Sequence, residues 1–267
     1  MQASSYAGEF GGEQLRMRDF TMAKYGELCR VLLSSGYTPV TVYRYLTDPS
    51  PGRTVVLRHD VDRKPENALA MAELEHALGI RSTYYFRHPA TFIPDLIREV
   101  HALGHEVGYH YEVLAKARGD YEKAIGLFAR ELAAFREICD VRTVCMHGSP
   151  LSRYDNRDLW KKYDFQDYGI EGEAYLSMAG GGLRYLTDTG RNWGGKHSVR
   201  DAMPGARPVP VETTDDLARW IESSGAEGLY LTMHPERWAV SEGEWAVGSL
   251  TDFAVNMGKR VLLVMRA

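Results

Sequence analysis

Apolar residues recur at helical spacing over residues 21–33, with Tyr25, Leu28 and Leu32 on one face, and Gly36 stands where such a helix ends. Asp48-Pro49-Ser50-Pro51-Gly52 then breaks the chain. Beyond the break the period alternates between strand and helix. Residues 54–57 form a short apolar, β-branched run that reads as a strand and gives way to the polar cluster Arg58-His59-Asp60-Val61-Asp62. Pro65 opens a helix with Met71, Leu74 and Leu78 on its apolar face, and Gly79 stops it. A strand at 80–86 leads to a helix opened by Pro94, faced by Leu96, Ile97 and Val100 and closed by Gly104. A strand at 106–111 follows, then a long amphipathic helix marked by Tyr121, Ile125, Phe128, Leu132 and Phe135, then a strand at 142–146. Residues 152–210 are less regular, with Gly180-Gly181-Gly182, a strand at 183–186 and a loop-like stretch around 192–197. Leu217, Trp220 and Ile221 mark another helix and 229–233 another strand. Ser241 and Glu244 form a capping box before a helix faced by Leu250, Phe253 and Met257, and 261–265 reads as a closing strand.

Strands separated by helices imply a parallel sheet with helices outside it. Against that frame one position repeats. Asp60 and Asp62, His110, His147 and His234 all stand at or just beyond the end of an apolar strand reading, where parallel α/β proteins gather their catalytic groups. Asp60 and Asp62 are two residues apart, so in extended backbone they share a side. Two carboxylates so placed repel unless a cation or a proton intervenes. One of them can hold a metal while the other takes a proton from attacking water; an Asx turn capping the next helix is the alternative for such a pair. His110 and His147, taken with one aspartate, supply the two imidazoles and one carboxylate that many divalent metals accept. Taken singly, either histidine reads more readily as a hydrogen-bonded structural residue. Gly108 precedes His110 on the same strand face and leaves room beside it, for a ligand or for close packing. His234, between Met233 and Pro235, is the natural proton donor to a leaving amine. His105 directly follows a helix-ending glycine and reads as structural. Asp188 and Arg191 stand in Leu186-Thr187-Asp188-Thr189-Gly190-Arg191-Asn192-Trp193, placed to orient the base or line the substrate site. Arg58 flanks the same cluster as a substrate contact, and Trp193 and Trp238 offer aromatic faces against a sugar, though packing in the core or rim is the more ordinary place for each. Gly180-Gly181-Gly182 lacks the Lys-Ser/Thr that a phosphate loop requires.

These residues carry a resemblance to the polysaccharide deacetylase superfamily, the NodB-homology or carbohydrate esterase family four proteins, and within it to a divergent intracellular branch linked to surface-polysaccharide biosynthesis. Arg58-His59-Asp60-Val61-Asp62 resembles the family's first motif, which implies Asp60 as general base and Asp62 as metal ligand. Gly104-His105-Glu106-Val107-Gly108-Tyr109-His110 resembles the second, whose last part supplies metal histidines, and Leu231-Thr232-Met233-His234 the late motif whose histidine assists as acid. The resemblance implies an α/β fold, a distorted, incomplete (β/α) barrel of about seven parallel strands. Residues 53–267 would form that barrel and residues 1–52 an N-terminal extension whose helix packs on it. Three departures stand out. Val61 separates the aspartates that the family places side by side. Leu114 occupies the position of the second metal histidine, and His147, where the family more often has an arginine-proline motif, is the substitute. The middle motif with its base-orienting arginine is absent in its common form, with Asp188-Thr189-Gly190-Arg191 as its replacement.

The implied activity is metal-assisted removal of an N-acetyl group from an amino sugar, whether a nucleotide sugar or a lipid-linked precursor. The cofactor is one divalent ion, zinc by preference, with cobalt, manganese or iron able to take its place. Two competing readings are another metal-dependent amide or ester hydrolase, and a catalytically silent carbohydrate-binding or assembly protein on the same scaffold. Composition narrows the partners. Hydrophobic residues make up 44% and charged residues 25% of the 267, with a net charge of -4, so there is no basic excess for a nucleic-acid surface. Met1-Gln2-Ala3-Ser4-Ser5 is not a basic segment followed by an apolar one, and no apolar run is long enough to span a bilayer. With Cys29, Cys139 and Cys145 an odd and scattered set, a cytoplasmic protein without disulfides or stable membrane insertion is expected.

Overall fold

A computed structural model describes residues 18–48, 52–149, 152–195, 203 and 208–266. Local chemistry sets the helix starts. Thr21 accepts a hydrogen bond from the Lys24 N–H and caps α1 (Met22–Ser34). After β1 (Thr38–Val40), Thr41 caps α2 (Val42–Thr47) in the same way. The chain continues through β2 (Thr54–Val61), α3 (Pro65–Ala77), β3 (Thr83–Phe86), α4 (Pro94–Ala102) and β4 (Glu106–Tyr111). Proline opens both α3 and α4, where its missing N–H costs nothing. Next come α5 (Val113–Lys116), α6 (Tyr121–Arg136), β5 (Thr143–Met146), β6 (Gly172–Glu173) and β7 (Arg184–Thr187), then α7 (Thr214–Ser223), β8 (Gly228–Met233) and α8 (Glu242–Arg266).

The sheet is parallel throughout and open, a curled half-barrel in the order β6-β5-β4-β3-β2-β8-β7, as the alternation of strands and helices predicts. β1 pairs with the first part of β2, and β3 with its last part. Thr38–Val40 thus adds a strand from within the segment expected to be a helical extension. Pro49, Ser50 and Pro51 of the expected break, and His197, lie outside the described residues.

Two expectations need correction. β2 does not stop at Leu57 but runs on through Arg58, His59 and Asp60 to Val61. Pairing with β3 at 58–61 and with β8 at 54–59 supplies its backbone partners, and that outweighs the polarity of the side chains. The apolar run 261–265 is helical, the last part of α8, not a strand. Short apolar runs carry no decisive period, and Leu and Met sustain a helix already begun at Glu242. No helix among the described residues is long and apolar enough to cross a membrane.

Register sorts the strand side chains onto two faces, because paired residues share a face. Asp60 pairs with Tyr85, Tyr85 with Gly108, and His110 with Cys145. That face also holds Arg58, Thr83, Glu106 and Thr143. The opposite face, with Val61, Phe86, Val107, Tyr109 and Val144, is buried in the core. Gly108 shows what the polar face requires. A Cβ there would overlap the Tyr85 ring and lie 2.9 Å from the Thr143 carbonyl oxygen, so the room beside His110 is filled by Tyr85. Gly108→Ala should therefore destabilise the fold by about 1–3 kcal/mol, read as a lower urea midpoint at unchanged slope; an unchanged midpoint would show that Tyr85 moves aside freely.

Candidate active site

Asp62 follows β2 directly, and its N–H donates to the Asp60 carbonyl (3.0 Å). His110 is in β4, and its Nδ1 lies 3.0 Å from the Cys145 carbonyl oxygen. A carbonyl only accepts, so Nδ1 carries the hydrogen and Nε2 is left facing the aspartates. His147 follows β5, extending the ladder by one bond from its N–H to the Tyr111 carbonyl (2.7 Å). These placements bring Asp62 Oδ1 to 2.9 Å from His147 Nδ1 and 3.4 Å from His110 Nε2.

The three side chains fit a divalent transition metal. Their ligand atoms lie within 4.8 Å of one another, the set is one carboxylate and two imidazoles, and Asp62 Oδ1 is buried without a hydrogen bond. Burial raises the Asp62 acid, but His147 and His110 outweigh it and hold the carboxyl well below its usual range. Burial lowers His147, yet the Asp62 charge, followed by Glu112, leaves it above its ordinary value. A cation here would compete with that proton. Leu114, where a second family histidine would stand, is buried in α5.

A second group, Asp60, His110 and Cys145, shares His110. It is the poorer cage, because Arg58 takes both Asp60 oxygens, at 2.7 and 2.5 Å. Arg58 was expected to contact substrate. It is 0% exposed, with Tyr175, Tyr85 and Tyr230 around its guanidinium, so it supports Asp60 from within the core. Against the effect of burial, Arg58 and then His110 keep the Asp60 carboxyl below its usual range.

Asp188 follows β7 and His234 follows β8. Asp188 Oδ1 accepts from His234 Nδ1 (2.6 Å) and Arg237 (3.0 Å), and Oδ2 accepts from the His234 N–H (2.9 Å) and Trp238 Nε1 (2.8 Å). Asp188 therefore orients the imidazole, leaving Nε2 as its free ring nitrogen. The pairing of His59 with Met233 sets His234 alongside Asp60. Burial and then Arg237 lower the His234 imidazolium, but Asp188 prevails and raises it to about 9 from 6.5. A raised folded-state pKa stabilises fully below the unfolded value and is lost as pH rises through the folded one. Parent stability should thus fall between about pH 6.5 and about pH 9 by more than that of His234→Gln. Urea midpoints measured across that window check this, and parallel curves would contradict it.

The remaining expected site residues lie elsewhere. Arg191 donates to Asp252 Oδ2 (2.8 Å) on α8, so it does not orient Asp60. Trp238 is 0% exposed and packs on Phe20, Tyr25 and Trp193. Trp193 is buried too, its Nε1 donating to Thr214 (3.0 Å). Both tryptophans thus belong to the core behind the acid dyad and offer no exposed wall to a sugar. His105, read as structural, is held by Ser82 and the Ala72 carbonyl.

Sequence reasoning passed over three groups. Glu112, held by two 2.9 Å bonds from Arg87, approaches His147 Nε2 at 3.9 Å. Cys145 lies 3.9 Å from Asp60 Oδ1. Glu236 is buried two residues beyond His234. The two-residue offset of Glu112 from His110 and of Glu236 from His234 is the signal that was present.

No family model matches the chain, and no curated relative does. Similar solved structures include a CE4 esterase from Streptococcus mutans (14% identity, 78% of this chain and 82% of that one, TM-score 0.45). A family 4 carbohydrate esterase from Bacillus anthracis matches at 12% identity over 86% and 85%, TM-score 0.41. A CE4 family pseudoenzyme from Bacillus anthracis matches at 14% over 83% and 65%, TM-score 0.42. Likeness at this level assigns no activity, and the functional reading rests on the side chains. Those are consistent with a metal-dependent hydrolase.

Proposed function

We propose that the protein is a metal-dependent amide hydrolase that removes the N-acetyl group of an amino sugar. The observation that carries this reading is the convergence of Asp62, His110 and His147 at the strand ends, beside an aspartate-bound imidazole, His234. Asp62 and the two histidines would hold the ion, zinc by preference with cobalt, manganese or iron in its place. When bound, such an ion lowers the pKa of water and polarises an acyl oxygen.

The protein's own groups divide the proton transfers. Asp60, kept ionised and aimed by Arg58, accepts the proton of the attacking water at a carboxylate oxygen. His234 is charged at neutral pH because Asp188 stabilises the imidazolium. It gives a proton from Nε2 to the departing nitrogen, which leaves as an amine that water readily protonates. An amide needs that proton more than an ester does. The N-acetyl assignment is supported by this acid dyad and by the motif resemblance around Asp60, His110 and His234.

The test is acetate release from a panel of N-acetyl nucleotide sugars and lipid-linked amino sugars, with 4-nitrophenyl acetate as a minimal ester. Activity that needs added metal, disappears with chelator and declines on the alkaline side near the His234 pKa of about 9 is expected. Metal-independent turnover would overturn the reading.

A further inference from the structure

Charge pairing around the site leaves one carboxylate, Glu236, only weakly matched. Asp60 is matched by Arg58, Asp188 by His234 and Arg237, and Glu112 by Arg87, with Lys116 at 3.8 Å. Among the described residues Asp62 is met by His147 at 2.9 Å and His110 at 3.4 Å, the two groups that would share the ion with it. Glu236 lies in the turn Pro235–Arg237 after β8 and is 8% exposed, yet neither of its oxygens has a hydrogen bond. Arg63 approaches it to 3.6 Å from a side chain that is 58% exposed, and Arg237 and His234, both engaged by Asp188, also favour its charge. Buried carboxylates in folded proteins almost always find donors, and one with none calls for a ligand or an ion. The Asp62 charge also bears on Glu236: after burial, it is the group that most raises the Glu236 acid.

A divalent ion held by Asp62 and two neutral imidazoles leaves one positive charge uncompensated. Burying that charge is costly, and a second carboxylate removes it. Glu236 is not among the side chains whose ligand atoms cluster with Asp62, His110 and His147, so its place is outside the direct ligands. We propose that Glu236 is the outer-sphere carboxylate of the metal centre, completing with Asp62 the two negative charges that a divalent cation neutralises. The proposal rests on the Asp62–His110–His147 reading and adds a positioning residue to it.

The experiment is zinc affinity by chelator competition, paired with urea unfolding of the metal-free proteins. Parent, Glu236→Gln and Glu236→Asp are compared. Outer-shell partners of metal ligands typically contribute about 10–100-fold in affinity, and Glu236→Gln should lose that much. Glu236→Asp, which keeps the charge, should bind zinc more tightly than Glu236→Gln. Without metal the order of stability should reverse, with Glu236→Gln unfolding at higher urea than the parent because a buried carboxylate without a hydrogen bond, disfavoured further by Asp62, is gone. A packing role alone would lower metal-free stability and leave zinc affinity unmoved. Equal zinc affinity of Glu236→Gln and parent, or an aspartate variant no better than the glutamine, overturns the proposal while the three-ligand site stands. A parent that binds no zinc overturns both.

Discussion

Asp60→Asn is expected to cut the rate of acyl hydrolysis by about 10²–10⁴-fold while leaving metal affinity largely intact. The asparagine keeps an oxygen to accept one of the two Arg58 bonds, at 2.7 and 2.5 Å, but it cannot take a proton. The loss should therefore fall on the chemical step, without a matching loss of substrate affinity. A second effect accompanies it. Arg58 is fully buried, and leaving a buried charge without its partner typically costs about 3–5 kcal/mol. The retained amide acceptor puts this variant near the lower end. Rates must accordingly be normalised to the folded fraction from urea titration. A normalised rate close to the parent's would remove Asp60 from the role of base.

His147→Ala should act on the other half of the site. Its imidazole lies 2.9 Å from Asp62 and would supply the second nitrogen donor that Leu114 cannot. Removing a direct ligand should weaken zinc binding by at least the roughly 10–100-fold that outer-shell changes cost. Part of the activity should return at high metal concentration, since Asp60, Asp188 and His234 are untouched. Calorimetric titration of both variants separates the two roles. If His147→Ala binds zinc as tightly as the parent, the two-histidine site is wrong.

Much of this was legible in the sequence for a physical reason. Asp62, His110 and His147 each stand at or beside the end of an apolar run, and the parallel alternation alone brings strand ends together. The paired role of Asp188 with His234 was less visible, because 46 residues separate them and only the neighbouring strands β7 and β8 join them. Arg58 was misplaced because its polarity suggested a strand end, while β2 continues through it and buries it. Trp193 and Trp238 could be read either as a sugar wall or as core, because an aromatic ring near catalytic residues looks the same whether it faces solvent or supports the site from behind. β1 and β6, at 3 and 2 residues, are too short to show a period. Glu236 escaped notice because its burial depends on α3 packing against the turn after β8.

An ion held by Asp62, His110 and His147 and one held by the rival cluster of Asp60, His110 and Cys145 differ in one donor atom type. X-ray absorption at the zinc edge, on protein loaded with one equivalent, distinguishes them directly. The Asp62–His110–His147 centre predicts a first shell of nitrogen and oxygen alone at about 2.0–2.1 Å. A sulfur scatterer at about 2.3 Å would place the ion on Cys145 with Asp60 and His110 instead and rule out the two-histidine centre.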